Sequence, residues 1–203
     1  VKTAEVNFKV NVNPVADEAT LKVSQAVGYE DAGRINENKS KDPAIASKIT
    51  NPEKGIALPI IVTSTDKDGS ETFTITIKDI PNGSGLYVYD NSTKTYKLVE
   101  VSKDGKITID GSEVKTSGNI SVKDNNGKFE VEIKEYQNNE QPKFIPPHNE
   151  HGDFTLKVDA KTVDTVTIDG KLVTSENTTA KDKPITVIVK DVADSVVGND
   201  YNE

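Results

Sequence analysis

Apolar residues recur at every second position along most of this chain. The pattern is clearest in EVNFKVNV (5–12), TFTITIKDI (72–80), KFEVEIKEY (128–136) and PITVIVKDV (184–192). Successive side chains of a β-strand point to opposite faces, so this alternation predicts strands with one buried face. Threonine, valine and isoleucine dominate the segments, which is typical of half-buried strands.

Turn sequences separate the alternating segments. PNGSG (81–85), KDGK (103–106), NNGK (125–128) and IDGK (168–171) combine glycine with asparagine or aspartate, which suits the tight turns of β-hairpins. About ten short strands joined by such turns predict an all-β fold, an antiparallel sandwich. The exception lies within 30–55, where DPAIASKI is compatible with one helical turn or with a plain loop.

Charge and composition exclude several classes of function. The 203 residues include 33 acidic and 25 basic side chains, a net charge of −8, and no cysteine. This balance argues against binding to nucleic acids or anionic membranes and favours hard cations such as Ca²⁺. The lack of cysteine excludes disulfides and thiolate zinc sites, and it favours a secreted protein that uses calcium instead of disulfides.

Two further absences in the sequence narrow the function. No stretch approaches the roughly 20 apolar residues of a membrane-spanning helix. No nucleophile elbow, zinc-protease motif or phosphate-binding loop occurs, so we expect no enzyme activity.

One strand signature occurs twice. VNFKVNVNPVAD (6–17) and ITVIVKDVAD (185–194) each place Val-Ala-Asp after an alternating strand. The repetition indicates a tandem architecture. Residues 1–13 are then the terminal strand of a preceding repeat or the first strand of this one, 14–190 form the module, and 191–203 are a linker and the start of the next repeat.

Five motifs follow one another in order: NPVADEATLKV (13–23), GYEDAG (28–33), ALPIIVTSTDKDGSETFTITIKDIPNGSGL (57–86), FIPPHNEHGDFTLKVDA (144–160) and ITVIVKDVAD (185–194). Together they resemble the cadherin-like and immunoglobulin-like tandem repeats of bacterial giant surface adhesins of the RTX type. The resemblance implies an Ig-like or cadherin-like sandwich on the bacterial cell surface, with Ca²⁺ as the bound ion and neighbouring repeats as partners. Such repeats are shorter than this chain, so the insertions, at about 33–55 and 87–143, are expected to be hairpins or a small β subdomain.

The stretch TDKDGSE is the first candidate metal site. Asp66 and Asp68 are two residues apart and share a face, Gly69 permits a sharp turn, and Glu71 follows. Calcium needs six to eight oxygen ligands, so another loop must contribute. The candidates are the acidic residues Glu30, Asp31, Asp17 and Glu18, and in the resembling repeats such clusters bind calcium between domains. The alternative is a solvated acidic turn.

The segment PPHNEHGDF (146–154) contains both histidines, His148 and His151, together with Glu150 and Asp153. Three interpretations are open: a structural loop, a calcium ligand at Asp153, or a zinc site.

Three tyrosines form a candidate binding surface. Tyr87 and Tyr89 share one face of a predicted strand, and Tyr96 lies on the next. They could form a platform for a peptide or glycan, or they could pack against one another across the strands.

Together these features predict a calcium-stabilised extender module that rigidifies a tandem array for adhesion or biofilm formation. The alternative is a ligand-binding module of the same kind of adhesin, in which the inserted region binds a host or biofilm peptide or glycan.

Overall fold

The computed structural model describes residues 6–34, 43–44, 55–66, 69–125 and 127–192, and fourteen β-strands lie within these ranges. In chain order they are β1 (Ala19–Val23), β2 (Ala26–Tyr29), β3 (Ile56–Ala57), β4 (Ile60–Ser64), β5 (Glu71–Ile80), β6 (Gly85–Asp90), β7 (Thr95–Val101), β8 (Ile107–Ile109), β9 (Thr116–Ser117), β10 (Ile120–Asn125), β11 (Lys128–Ile133), β12 (Lys143–Ile145), β13 (Gly152–Ile168) and β14 (Lys171–Lys190). Within DPAIASKI, Pro43 and Ala44 are helical, and the remainder lies outside the described residues.

Three sheets build the fold. The largest has seven strands in the order β2-β14-β13-β5-β11-β10-β9, and its pairs are antiparallel except for β2 with β14. A five-stranded sheet has the order β3-β12-β6-β7-β8, and β1 pairs with β4 in a two-stranded sheet. One hydrophobic core contains side chains from all three sheets, which confirms the predicted all-β sandwich.

The alternation in the sequence separates core from surface within each strand. In β4, Ile60 and Val62 are fully buried, whereas Ile61 between them is 44% exposed. In β13, Leu156 and Val158 are buried in the same way. Burial of these aliphatic faces supplies the main favourable term in the folding free energy.

A long hairpin of β13 and β14 runs through the largest sheet. Ile168 pairs with Lys171, which leaves Asp169 and Gly170 as a two-residue turn. Both turn residues have positive φ, 52° and 73°. A type I′ turn requires this conformation at both central positions, and its twist matches that of the strands it joins.

The hairpin runs through three alternating segments of the sequence, 153–160, 164–173 and 184–192, and the second of these contains the IDGK turn. The stretches between them contain no glycine. The register of the β13–β14 pairing shifts on either side of Ala160, as it does at β-bulges. Such bulges bend a strand without ending it.

Residues 87–143 form hairpins that belong to the sandwich itself. The hairpin of β10 and β11 extends the seven-stranded sheet through the pairing of β11 with β5. Phe129 and Val131 of β11 are buried in the common core. The predicted insertion is therefore part of the folded body.

The alternating segment 6–12 differs from the others because it forms no strand with any residue that the structure describes. Its apolar side chains are largely exposed: 86% at Val6, 85% at Phe8, 69% at Val10 and 74% at Val12. The segment has the sequence pattern of a strand but pairs with no strand in the described ranges.

Two side chains bind the backbone of β4. Asn138 accepts a hydrogen bond from the Val62 amide and donates one to the Val62 carbonyl, both at 2.9 Å. The Tyr136 hydroxyl donates to the Ile60 carbonyl at 2.8 Å. These contacts connect the two-stranded sheet to the chain that follows β11.

We expect Asn138→Ala to lower the free energy of unfolding by about 1–2 kcal/mol, because two backbone groups of the buried Val62 lose their partner. Urea denaturation measures the change. Asn139→Ala, at the exposed neighbouring position, is the matched control and should stay within about 0.5 kcal/mol of the wild type. Equal losses in both variants would show that the Asn138 contacts do not stabilise β4.

Candidate metal sites and an aromatic strip

Polar side chains of β14 bind the segment that precedes β1. Thr179 Oγ1 accepts from the Ala19 amide at 2.9 Å and donates to the Ala19 carbonyl at 3.0 Å. Ser175 Oγ accepts from the Ala16 amide at 3.1 Å, and Asn177 Nδ2 donates to the Ala16 carbonyl at 3.2 Å. The segment is therefore held by side chains rather than by a backbone ladder.

This attachment brings Asp17 to Asp66 and Glu71, a group that we name the linker cluster. The Asp17 amide donates to Glu71 Oε1 at 2.5 Å, and the Thr65 hydroxyl donates to Asp17 Oδ2 at 3.1 Å. The Thr162 hydroxyl also donates to the Asp17 carbonyl. One carboxylate oxygen from each acid lies within 4.8 Å of the other two.

Glu71 carries an unsatisfied atom in this cluster. Its Oε2 is shielded from solvent and has no hydrogen-bond partner among the described residues. A buried polar atom without a partner costs about 1–3 kcal/mol, and more when it is charged. The neighbouring carboxylates of Asp17 and Asp66 add like-charge repulsion. A cation would satisfy Oε2 and remove the repulsion.

The donor set of the linker cluster fits a hard cation. All three side chains offer oxygen, which is what Ca²⁺ prefers, and a carboxylate can bind it through one or both oxygens. Backbone carbonyls or water would complete a shell of six to eight ligands.

The structure places the other predicted ligands as follows. Asp68 lies outside the described residues. Glu18 and Asp153 are exposed, and neither belongs to a metal-binding group among the residues that the structure describes. Asp31 is buried and accepts a hydrogen bond from the Asn149 amide at 3.2 Å.

Glu30 belongs to a second group, with His151 and Asp191, that we name the terminal cluster. Of the acids that the sequence offers as partners for Glu71, the structure places Asp17 beside it and Glu30 in this other group. The reason is the strand register: Tyr29, before Glu30, pairs with Lys190 of β14, whereas Glu71 pairs with Asp164 farther along β13.

The terminal cluster ties the chain after β14 to the loop after β2. The Val192 amide donates to Glu30 Oε1 at 2.7 Å. His151 Nδ1 lies 3.5 Å from Glu30 Oε2 and 3.8 Å from Asp191 Oδ1. The sequence pattern marks His151 only as part of a possible zinc site and does not mark Asp191, because the long-range pairing of β2 with β14 brings Asp191 to Glu30.

Burial dominates the electrostatics of Glu30. It raises the pKa of this carboxyl above its usual value of 4.5, and Asp191 raises it further through a hydrogen bond and its charge. The Val192 amide and His151 act in the opposite direction without cancelling the shift.

The structure brings together the three predicted surface tyrosines, which we name the tyrosine strip. The rings of Tyr87 and Tyr96 are stacked with centroids 4.8 Å apart, and Tyr89 meets Tyr96 edge-on at 5.3 Å. The Tyr96 hydroxyl donates to Glu140 Oε2 at 2.7 Å. Burial and the Glu140 carboxylate raise the pKa of Tyr96, so its hydroxyl stays protonated.

Comparison with known proteins gives no relative: no protein-family model, curated protein or solved structure matches the chain. Across the described ranges, no helix has the length and apolar character needed to cross a membrane.

The raised pKa of Glu30 predicts a pH-dependent stability. The folded state holds a proton on Glu30 at pH values where the unfolded chain has released it, so the free energy of unfolding falls as pH rises above about 4.5. Glu30→Gln keeps an acceptor for the Val192 amide and removes the titration. Its stability relative to the wild type should therefore increase with pH across this window.

Urea denaturation in EDTA between pH 4 and pH 7 measures this difference. Glu150→Gln, at an exposed position in the same loop as His151, is the matched control. Parallel pH profiles for the wild type and Glu30→Gln would contradict the prediction.

Proposed function

We propose that this chain is a calcium-stabilised structural module of an extracellular bacterial surface adhesin, in which bound ions stiffen a tandem array of modules. The observation that carries the proposal is the linker cluster. It brings one carboxylate of the segment before the first strand to two carboxylates of the folded body, and Glu71 Oε2 is buried there with no hydrogen-bond partner in the described part of the chain.

The positions of the two clusters support a role at the ends of the module. The linker cluster lies beside Asp164 of β13, whereas the terminal cluster lies next to Gly152, where β13 begins. At about 3.3 Å per residue, the part of β13 from Gly152 to Asp164 is about 40 Å long. Each cluster holds one chain segment that enters or leaves the sandwich.

The repeated strand signature supports neighbouring modules as partners. Aligning the two Val-Ala-Asp sequences matches the exposed residues of 6–12 with buried core residues of β14. In this register Phe8, Val10 and Val12 correspond to Ile185, Val187 and Val189. Residues 6–12 thus have the pattern of a final strand, and the sandwich of a preceding module would bury it.

The mechanism is mechanical. Without a cation, the three carboxylates of the linker cluster repel one another, and the segment before β1 is held by side-chain hydrogen bonds. Asp17, Asp66 and Glu71 would hold the ion, which would attract all three carboxylates and restrict the angle between neighbouring modules. Because the ion binds the folded state, it would also oppose unfolding by mass action.

We expect millimolar Ca²⁺ to raise the melting temperature. At a concentration one hundred times the Kd, one site contributes about 2.7 kcal/mol, or about 5–10 °C for a domain of this size. Differential scanning calorimetry in Ca²⁺, in Mg²⁺ and in EDTA measures the effect. Identical melting curves in Ca²⁺ and EDTA would contradict the proposal.

Glu71→Gln assigns the effect to the linker cluster. In EDTA this variant should be at least as stable as the wild type, because a buried negative charge is lost. With Ca²⁺ it should lose most of the rise in melting temperature. Glu18→Gln is the matched control, since Glu18 is an exposed acid outside the cluster, and a full calcium response in both variants would place the ion elsewhere.

A further inference from the structure

The outer face of the five-stranded sheet has a depression at Gly85. Gly85 pairs with Ile145 on one side and with Glu100 on the other, and Glu100 pairs with Thr108. A Cβ atom at position 85 would lie 2.9 Å from the Val99 carbonyl oxygen and 3.7 Å from both Ile145 Cβ and Glu100 Cγ. Because glycine has no side chain, this row of four strands is open at its centre.

This depression is a cavity of about 290 Å³, which we name the glycine pocket. Its walls include the side chains of Arg34, Lys103, Lys106 and Glu100. Three cationic groups against one carboxylate are unusual in a chain with a net charge of −8. The excess of positive charge favours an anionic group inside the pocket.

The cationic groups of the pocket differ in availability. The Arg34 guanidinium donates to the carbonyls of Gly83 and Pro146, so it forms a fixed wall. Lys106 Nζ lies 2.6 Å from a Glu113 carboxylate oxygen. Lys103 forms no ion pair with any residue that the structure describes, and it is therefore the cation that a ligand can engage.

The tyrosine strip continues from the glycine pocket along the same face. Tyr87 is two residues from Gly85 on β6, and Lys143 and Leu98 flank Tyr87 on the neighbouring strands. Lys143 Nζ lies 5.9 Å from the Tyr87 ring centroid. Half-exposed rings therefore adjoin a cationic pocket, with a third lysine, Lys143, beside them.

We propose that this face binds an acidic saccharide. Its carboxylate enters the glycine pocket and pairs with Lys103, while an adjoining sugar ring packs against Tyr87. The hydroxyl of Thr108 lies in the same pocket, where it can bind a sugar hydroxyl.

The sheet geometry favours a saccharide over a peptide. An extended peptide usually binds by adding a strand at a free sheet edge, where it pairs with backbone groups. Here β6 and β7 lie inside the sheet, and both are paired on their two sides. The pocket lies on the face of the sheet, where it provides a cation and a hydroxyl-bearing residue beside an aromatic surface.

The test uses the whole chain in EDTA, so that calcium cannot bridge the protein and an acidic glycan. The acidic probe is a linear tetrauronate, a chain of four uronic acid units. The two comparison probes are a neutral tetrasaccharide of the same linkage and the acidic peptide tetraglutamate. Each is titrated by NMR or calorimetry. We expect binding of the tetrauronate alone, with chemical-shift changes confined to residues around Gly85 and Tyr87. No binding of the tetrauronate, or equal binding of the neutral sugar, would overturn the proposal.

Matched charge reversals locate the site. Lys103→Glu should weaken tetrauronate binding at least tenfold, about 1.4 kcal/mol. Lys22→Glu changes the net charge equally at an exposed position on β1 and should leave binding unchanged. Tyr89→Ala and Tyr87→Ala, checked for folding by their melting curves, should weaken binding without abolishing it. Equal effects of the two lysine variants, or tetraglutamate binding as tightly as the tetrauronate, would refute the assigned site or ligand class.

The outcome is independent of the calcium proposal. Calcium-dependent melting without tetrauronate binding would leave the structural module standing and overturn the glycine pocket. Tetrauronate binding with identical melting curves in Ca²⁺ and EDTA would overturn the calcium proposal and leave the glycine pocket standing.

Discussion

The backbone ladder between β13 and β14 is the contact on which the other elements depend. β2 pairs with the end of β14, and β5 pairs with β13 from Lys157 to Asp164, so the ladder unites the largest sheet. Its distal half extends to the Asp169-Gly170 turn and presents hydroxyl and amide side chains to the segment before β1. A shorter hairpin would leave Asp17 without the surface that brings it to Glu71.

The alternation of apolar residues was sufficient to predict the fold class and most of the strands, because burial of one strand face is a local property of the sequence. The linker cluster was partly predictable: Asp66, Glu71 and Asp17 are acids that flank strands. Strand register, in contrast, is set by the whole sheet. The parallel pairing of β2 with β14 separates Glu30 from Glu71 and joins it to Asp191, and no local pattern in the sequence encodes that choice.

The two clusters show how the same residue type can have different chemistry. Glu30 is buried beside a second carboxylate, and these two effects outweigh its hydrogen-bond donors, so protonation relieves its environment. One oxygen of Glu71 accepts from the Asp17 amide and the other is buried without a partner among the residues described, so a cation would relieve it. The terminal cluster is thus suited to a proton on Glu30 or to its contact with His151, and the linker cluster is suited to a metal ion.

The attachment of residues 14–19 to β14 also determines how the module would bear load. From Ala16 to Ala19 the segment runs in the same direction as β14 from Ser175 to Thr179, and its hydrogen bonds lie side by side along the hairpin. A pull along the hairpin axis therefore loads these bonds together in shear. A pull at right angles would break them one at a time, so the joint is strong in one direction and weak in the other.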